Sequence, residues 1–197
     1  MSLPVDSAGA PIIDAINAWR SERTPLLVAI DGHGAAGKST IAAAVCERLG
    51  AALVHTDDFF RQRDADAPAG PPMSRYYDWQ RLREEALAPL LAGQRARFRA
   101  FDWERDAFLA EPVTVTPAAV VVLEGVSSAA PALADLLTHA ILVQTPEVER
   151  TRRLRARISE SAWDARWLQE ELRYFASLPP ERFELTVSGS ATGAPGD

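Results

Sequence analysis

Residues Gly32-His33-Gly34-Ala35-Ala36-Gly37-Lys38-Ser39-Thr40 carry the spacing G-x-x-x-x-G-K-[ST] and follow the apolar run Leu26–Ile30. Glycines at this spacing let backbone N–H groups turn inward around a polyphosphate, the lysine reaches the β- and γ-phosphates, and the Ser39 hydroxyl can ligand Mg²⁺. The chemistry implied is the binding of a nucleoside triphosphate. Glu124 closes the apolar run Val120-Val121-Val122-Leu123. A carboxylate at the C-terminal end of a buried strand, near a cation held by Ser39, suits a Walker B acid; capping of the next helix is the alternative. Asp57 and Asp58 follow a short apolar run and compete for the role of general base toward a substrate hydroxyl, with an Asx turn as the structural alternative.

Residues 150 to 157, Arg-Thr-Arg-Arg-Leu-Arg-Ala-Arg, hold five arginines in eight positions. On a helix over 147–158, Arg150, Arg153 and Arg157 share a face, with an apolar stripe of Val148, Thr151, Leu154 and Ile158. Guanidinium donors stabilise the charge spread over a transferring phosphoryl group, so a lid helix is expected; a solvated face paired with Glu147, Glu149 and Glu160 is the alternative. Phe101-Asp102-Trp103 could stack on a planar or sugar-like substrate while the acid takes its hydroxyls, or form a satellite core. His33 occupies a variable position of the loop, which faces away from phosphate as often as toward it; His55 and His139 sit at strand edges without partners at metal-ligand spacing, and structural roles are expected for both.

The elements that must position these groups follow from periodicity. A helix over 12–20 precedes a central strand at 26–31, and a second helix over 39–49 stops at Gly50. A strand at 52–56 places Asp57 and Asp58 at the sheet edge where ligands bind in open α/β folds. Residues 64–75 have the Pro/Gly density of a mobile loop. A helix over 78–91 carries Trp79, Leu82, Ala86 and Leu90 on one face, and Pro89 should bend or end it. Strands at 97–103 and 113–116 form a small β excursion. Strands at 120–123, 140–144 and 183–187 and a helix containing Trp163 and Trp167 complete the chain. Such alternation implies an α/β fold with a mainly parallel sheet and helices on both sides.

At 197 residues the chain fits one domain, with 1–24 as a helical lead-in and 189–197 as a disordered tail. A formal net charge of -6 argues against nucleic-acid polymers as partners. Cys46 is the single cysteine; it is expected buried, in a reducing compartment. With neither a leader-like N-terminus nor a long apolar stretch, a soluble cytoplasmic protein without membrane contact is expected. A homo-oligomer stays open.

With the phosphate loop, Asp57-Asp58-Phe59-Phe60, Tyr77-Asp78-Trp79, Phe101-Asp102-Trp103, Leu123-Glu124-Gly125 and the arginine helix in this order, the chain resembles the uridine kinase family of P-loop kinases over roughly residues 25–188. The resemblance implies a three-layer α/β/α sandwich with an arginine-rich lid helix. It implies ATP and Mg²⁺ as cofactors, the nucleotide on Gly32, Gly34, Ala35, Ala36, Gly37, Lys38, Ser39 and Thr40, and the metal at Ser39 and Glu124. By position, Asp57 matches the family's base on the nucleoside 5′-hydroxyl, and Asp58 takes the place of a serine. Lys38, Arg153 and Arg157 would stabilise the γ-phosphoryl. Asp58, Phe60, Tyr77, Asp78, Phe101, Asp102 and Arg150 would meet the substrate. The implied activity is phosphoryl transfer from Mg-ATP to a hydroxyl of a small molecule, first a nucleoside such as uridine or cytidine. The alternatives are pantothenate, a sugar or a sugar acid as acceptor, or an NTPase switch with no metabolite acceptor. Two departures bear on the acceptor: Phe101 stands where the family usually has tyrosine, and Asp106 lies near the position of an expected histidine.

Overall fold

The computed structural model describes residues 9–21, 24–61, 70–156 and 162–190. In chain order its elements are α1 (Gly9–Trp19), β1 (Leu26–Asp31), α2 (Lys38–Leu49), β2 (Ala52–His55), α3 (Trp79–Leu82), a π turn (Arg83–Leu87) and α4 (Ala88–Leu91). The short strands β3 (Ala96–Phe98), β4 (Phe101–Asp102), β5 (Ala107–Phe108) and β6 (Val113–Val115) follow. The chain then runs through β7 (Val120–Glu124), β8 (His139–Gln144), α5 (Glu147–Arg155), α6 (Ala162–Ser177) and β9 (Leu185–Ser188).

β1 and β7 are buried along their whole lengths, so both sheet faces must be covered. They are the middle of a five-stranded sheet of order β2-β7-β1-β8-β9, in which every pairing is parallel. Side chains alternate between faces with period two. Leu26, Val28 and Ile30 of β1, with Val120 and Val122 of β7, pack against Ile12 and Ile16 of α1 and Ile41 and Val45 of α2. The alternate residues Leu27, Val121 and Leu123 pack against Leu82, Ala86, Leu87 and Leu90, together with Ala96 and Phe98 of β3. Each of the Val, Leu, Ile and Phe side chains among these, buried, contributes about 1.5–3 kcal/mol. The expected α/β fold with a mainly parallel central sheet is therefore present. The β excursion consists of two antiparallel pairs, β3 with β6 and β4 with β5.

Three local expectations change. Pro89 neither ends the helix nor leaves it regular. It has no N–H, and its ring crowds the carbonyl four residues back; the helix widens into the π turn just upstream, with the Ala88 N–H on the Arg83 carbonyl, and runs on to Leu91. In the expected loop 64–75, residues 64–69 lie outside the described residues, but the following turn is packed, with Met73 fully buried. In α5 the expected apolar stripe does not reach the core: Val148 is 84% exposed and no residue of that helix is buried. Cys46 is buried as expected.

Gly125, straight after β7, sits at φ +135°, and a Cβ there would overlap the Thr56 hydroxyl oxygen. Gly50, after α2, sits at φ +62° with nothing within 4 Å of an added Cβ. Alanine at Gly50 should therefore cost only the conformational term, about 1 kcal/mol. Alanine at Gly125 should cost roughly 3 kcal/mol or more, since strain and overlap add. Urea unfolding of the two variants checks the difference; equal midpoints would contradict it.

Candidate active site

The loop between β1 and α2 closes on itself through side chains from distant elements. Lys38 is largely buried and its Nζ donates to the His33 carbonyl at 2.9 Å. The Thr145 hydroxyl, just past β8, donates to the Ala36 carbonyl at 2.9 Å. Gly37, at the N-terminus of α2, adopts φ +94°, which turns the chain from loop into helix. The loop thus runs into the N-terminus of α2 at Lys38, where backbone N–H groups and the helix dipole favour an anion.

Ser39 and Glu124 meet, the Ser39 hydroxyl donating to Glu124 Oε1 at 3.0 Å. The other Glu124 oxygen accepts from His55 Nδ1 at 2.7 Å, so His55, expected to be structural, orients the strand-end carboxylate. That hydrogen bond raises the His55 pKa above the ordinary imidazole value, with Asp58 and Asp57 adding to it against partial burial. Among the described residues no cluster of three or more His, Cys, Asp or Glu could cage a metal. Two hard oxygens at the end of the phosphate loop suit Mg²⁺, which binds through few protein ligands plus phosphate oxygens and water.

Asp57 and Asp58 form a 3₁₀ turn with Thr56 and Phe59 directly after β2. Asp57 opens to solvent on one side, while its Oδ1 accepts from the buried Tyr77 hydroxyl at 3.0 Å. Enclosure by protein on its other sides and the Glu124 carboxylate raise its pKa, against Lys38 and the Tyr77 hydrogen bond. Asp58, half-buried, is raised by partial burial against the pull of His55. Phe60 gathers Phe101 and Trp103 around it, at ring-centroid distances of 5.3 and 4.2 Å, beside Met73, Tyr76 and Tyr77.

Other sequence candidates have local partners. Asp78 caps α3 by accepting the Arg81 N–H at 3.0 Å and pairs with Arg61 at 3.3 Å. Asp102 accepts the Glu104 and Arg105 N–H groups in its own turn. Arg153 donates to the Ala35 carbonyl at 3.1 Å and the Gly189 carbonyl at 3.2 Å, and pairs with Glu149, so its guanidinium is at the loop but on carbonyls. Arg150 lies on α5, half-buried; Arg157 falls outside the described residues.

A family model described as an AAA domain matches residues 27–178, from β1 to the end of α6. The chain belongs to this AAA-domain family. A uridine kinase of Halobacterium salinarum is 28% identical over 163 residues, covering 78% of this chain and 71% of that relative. A uridine kinase of Deinococcus deserti is 30% identical over 110 residues, covering 51% of this chain and 52% of that relative. Among solved structures, a "Possible Uridine Kinase" from Bacillus stearothermophilus aligns with TM-score 0.64 at 18% identity, over 90% of this chain and 99% of that one. A candidate fructose transport system kinase from Silicibacter sp. TM1040 aligns with TM-score 0.67 at 24% identity, over 90% and 98%. The structures show a shared fold. Together with the family and the curated relatives they support a uridine kinase-like P-loop kinase.

Three residues that hold this kinase-like site together were not singled out from sequence. Asp31 is fully buried at the end of β1 and accepts four hydrogen bonds: from the Tyr174 hydroxyl at 2.6 Å, and from the N–H groups of Gly32 at 2.7 Å, Ala129 at 2.9 Å and Ser127 at 3.1 Å. Glu171 of α6, also buried, accepts the Gly34 N–H at 2.5 Å. An acid closing an otherwise apolar strand was a readable signal for Asp31. Nothing local marks Glu171 or Tyr174, whose partners are 137 and 143 residues away.

Burial raises the Asp31 pKa, while Tyr174 and the backbone donors pull it down. A raised carboxylate contributes stability below its unfolded pKa, and that contribution is lost as pH rises through its folded pKa. Tyr174→Phe removes the strongest of the lowering interactions, so it should destabilise by about 1–3 kcal/mol at neutral pH. The deficit should shrink in mild acid as Asp31 takes up its proton. Denaturant unfolding at several pH values checks this; a deficit that grows toward acid would contradict it.

Proposed function

We propose that this chain transfers the γ-phosphoryl of Mg-ATP to a hydroxyl of a small molecule, with a nucleoside such as uridine or cytidine as the first acceptor. The observation that carries the reading is the meeting of three groups at one sheet edge: the Gly32–Thr40 loop, the Ser39–Glu124 pair at 3.0 Å, and Asp57 held by Tyr77. The loop N–H groups and Lys38 would hold the polyphosphate, and Ser39 and Glu124 would hold Mg²⁺. Bound there, Mg-ATP supplies the transferable phosphoryl and the cation that offsets its charge. Asp57 accepts the proton of the acceptor hydroxyl as that oxygen bonds to phosphorus and the bond to the β-phosphate oxygen breaks, releasing ADP. Its raised pKa makes it a stronger base than an ordinary aspartate. Phe60, Phe101 and Trp103 supply the apolar wall against which the acceptor rests, and Lys38 and arginines of α5 counter the developing charge.

A second acceptor class, a sugar, sugar acid or pantothenate, is favoured by two departures from the resembled family: Phe101 stands where it usually has tyrosine, and Asp106 lies near the position of the histidine expected to read the pyrimidine. On this reading the chain works as one kinase domain in the cytoplasm.

A panel of nucleosides, sugars and pantothenate tests the proposal through acceptor-dependent ADP formation and the appearance of a phosphomonoester. Equal ATP hydrolysis with and without every acceptor would favour a switch NTPase instead. The pH profile tests the base. Activity needs ionised Asp57 and should fall as pH drops through its folded pKa, which lies above the ordinary aspartate value. Tyr77→Phe removes a hydrogen bond to the ionised form, so the acid limb should move to higher pH; an unmoved or lowered limb would sink this assignment.

A further inference from the structure

Helix α6 meets the phosphate loop through one stripe of side chains. Trp167 lies with two ring atoms 3.4 Å from where a Cβ on Gly34 would stand. Glu171, 1% exposed, accepts the Gly34 N–H at 2.5 Å and lies 3.5 Å from His33 Nδ1. Phe175 packs on the His33 ring at a centroid distance of 4.1 Å, and Tyr174 reaches the base of the loop at Asp31. Positions 167, 171, 174 and 175 recur on one helical face, and that face covers the first half of the loop.

The Glu171 oxygen on Gly34 is a negatively charged acceptor on a phosphate-loop amide, the interaction a phosphate oxygen would make. Two anions a few ångströms apart in a partly desolvated cleft repel strongly. The two cations at the loop are engaged elsewhere: Lys38 Nζ donates to the His33 carbonyl and Arg153 pairs with Glu149. The His33 imidazole lies beside Glu171.

Resting on the nucleotide reading of the loop, we infer that Glu171 is an internal competitor of nucleotide phosphate. Its carboxylate occupies Gly34 before nucleotide arrives and leaves when the polyphosphate settles, so its charge sets the affinity for Mg-ATP and ties loading of the loop to undocking of α6. The residue makes no bond to the reacting atoms; it acts through the loop and helix it joins.

Calorimetric titration of the full chain with Mg-ATP tests this. Glu171→Gln keeps shape and acceptor but removes the charge, and should tighten binding about tenfold; Glu171→Ala should also bind more tightly than wild type. Unchanged or weaker binding in both variants would mean that Glu171 only anchors the loop, and would overturn the inference. Wild-type protein reports independently of variant folding. Saturating Mg-ATP should increase acrylamide quenching of the emission that Trp167→Phe removes, whereas unaltered quenching would mean that α6 stays docked and would also overturn it. A wild-type chain that binds no Mg-ATP overturns the nucleotide reading itself, a result distinct from either failure.

Discussion

The register between β1 and its parallel neighbour β7 is the constraint on which the site depends. Ile30 stands beside Glu124, so the two strands end together and the phosphate loop leaves the sheet next to the Glu124 carboxylate. On the other side of β7, His55 of β2 stands beside the same Glu124, and the turn bearing Asp57 begins one residue later. Both registers are enforced by burial on two faces: a shift of one residue would exchange every side chain between the helical layers. Donor loop, metal-suited oxygens and candidate base are thus brought together by packing that has no chemistry of its own.

The same edge concentrates negative charge. Asp31, Asp57, Glu124 and Glu171 lie under or beside the loop with Lys38 as the lysine among them, and the architecture treats each acid differently. Asp31 is sealed in and saturated with four donors, as a buried carboxylate requires. Glu124 divides its two oxygens between Ser39 and His55. Asp57 keeps an open side toward solvent. A surplus of carboxylates is suited to receiving a divalent cation together with a polyphosphate; burial raises the pKa of both Asp31 and Asp57, and at Asp57 the neighbouring Glu124 carboxylate adds to it.

What was legible in the sequence was local or periodic. The phosphate loop is nine adjacent residues, and β1 and β7 are unbroken apolar runs that fit a doubly covered parallel strand. What was missed depends on long-range contacts. Tyr77 was read as a substrate contact, yet its hydroxyl is on Asp57, 20 residues away. His55 looked structural because its partner Glu124 is 69 residues distant. Val148 fitted an apolar stripe, but among the described residues it is left 84% exposed, and the polar Arg153–Glu149 side faces the loop. The π turn shows a propensity rule outcompeted by packing: Ala86, Leu87 and Leu90 gain enough by burial for the helix to widen around Pro89 rather than stop.

The central claim is that Asp57 acts chemically at a site that holds ATP without it. Parallel measurement of Mg-ATP binding and of acceptor-dependent turnover for Asp57→Asn tests this most directly. Binding should be retained while turnover falls by roughly 10² or more. Near-normal turnover in that variant would contradict the account.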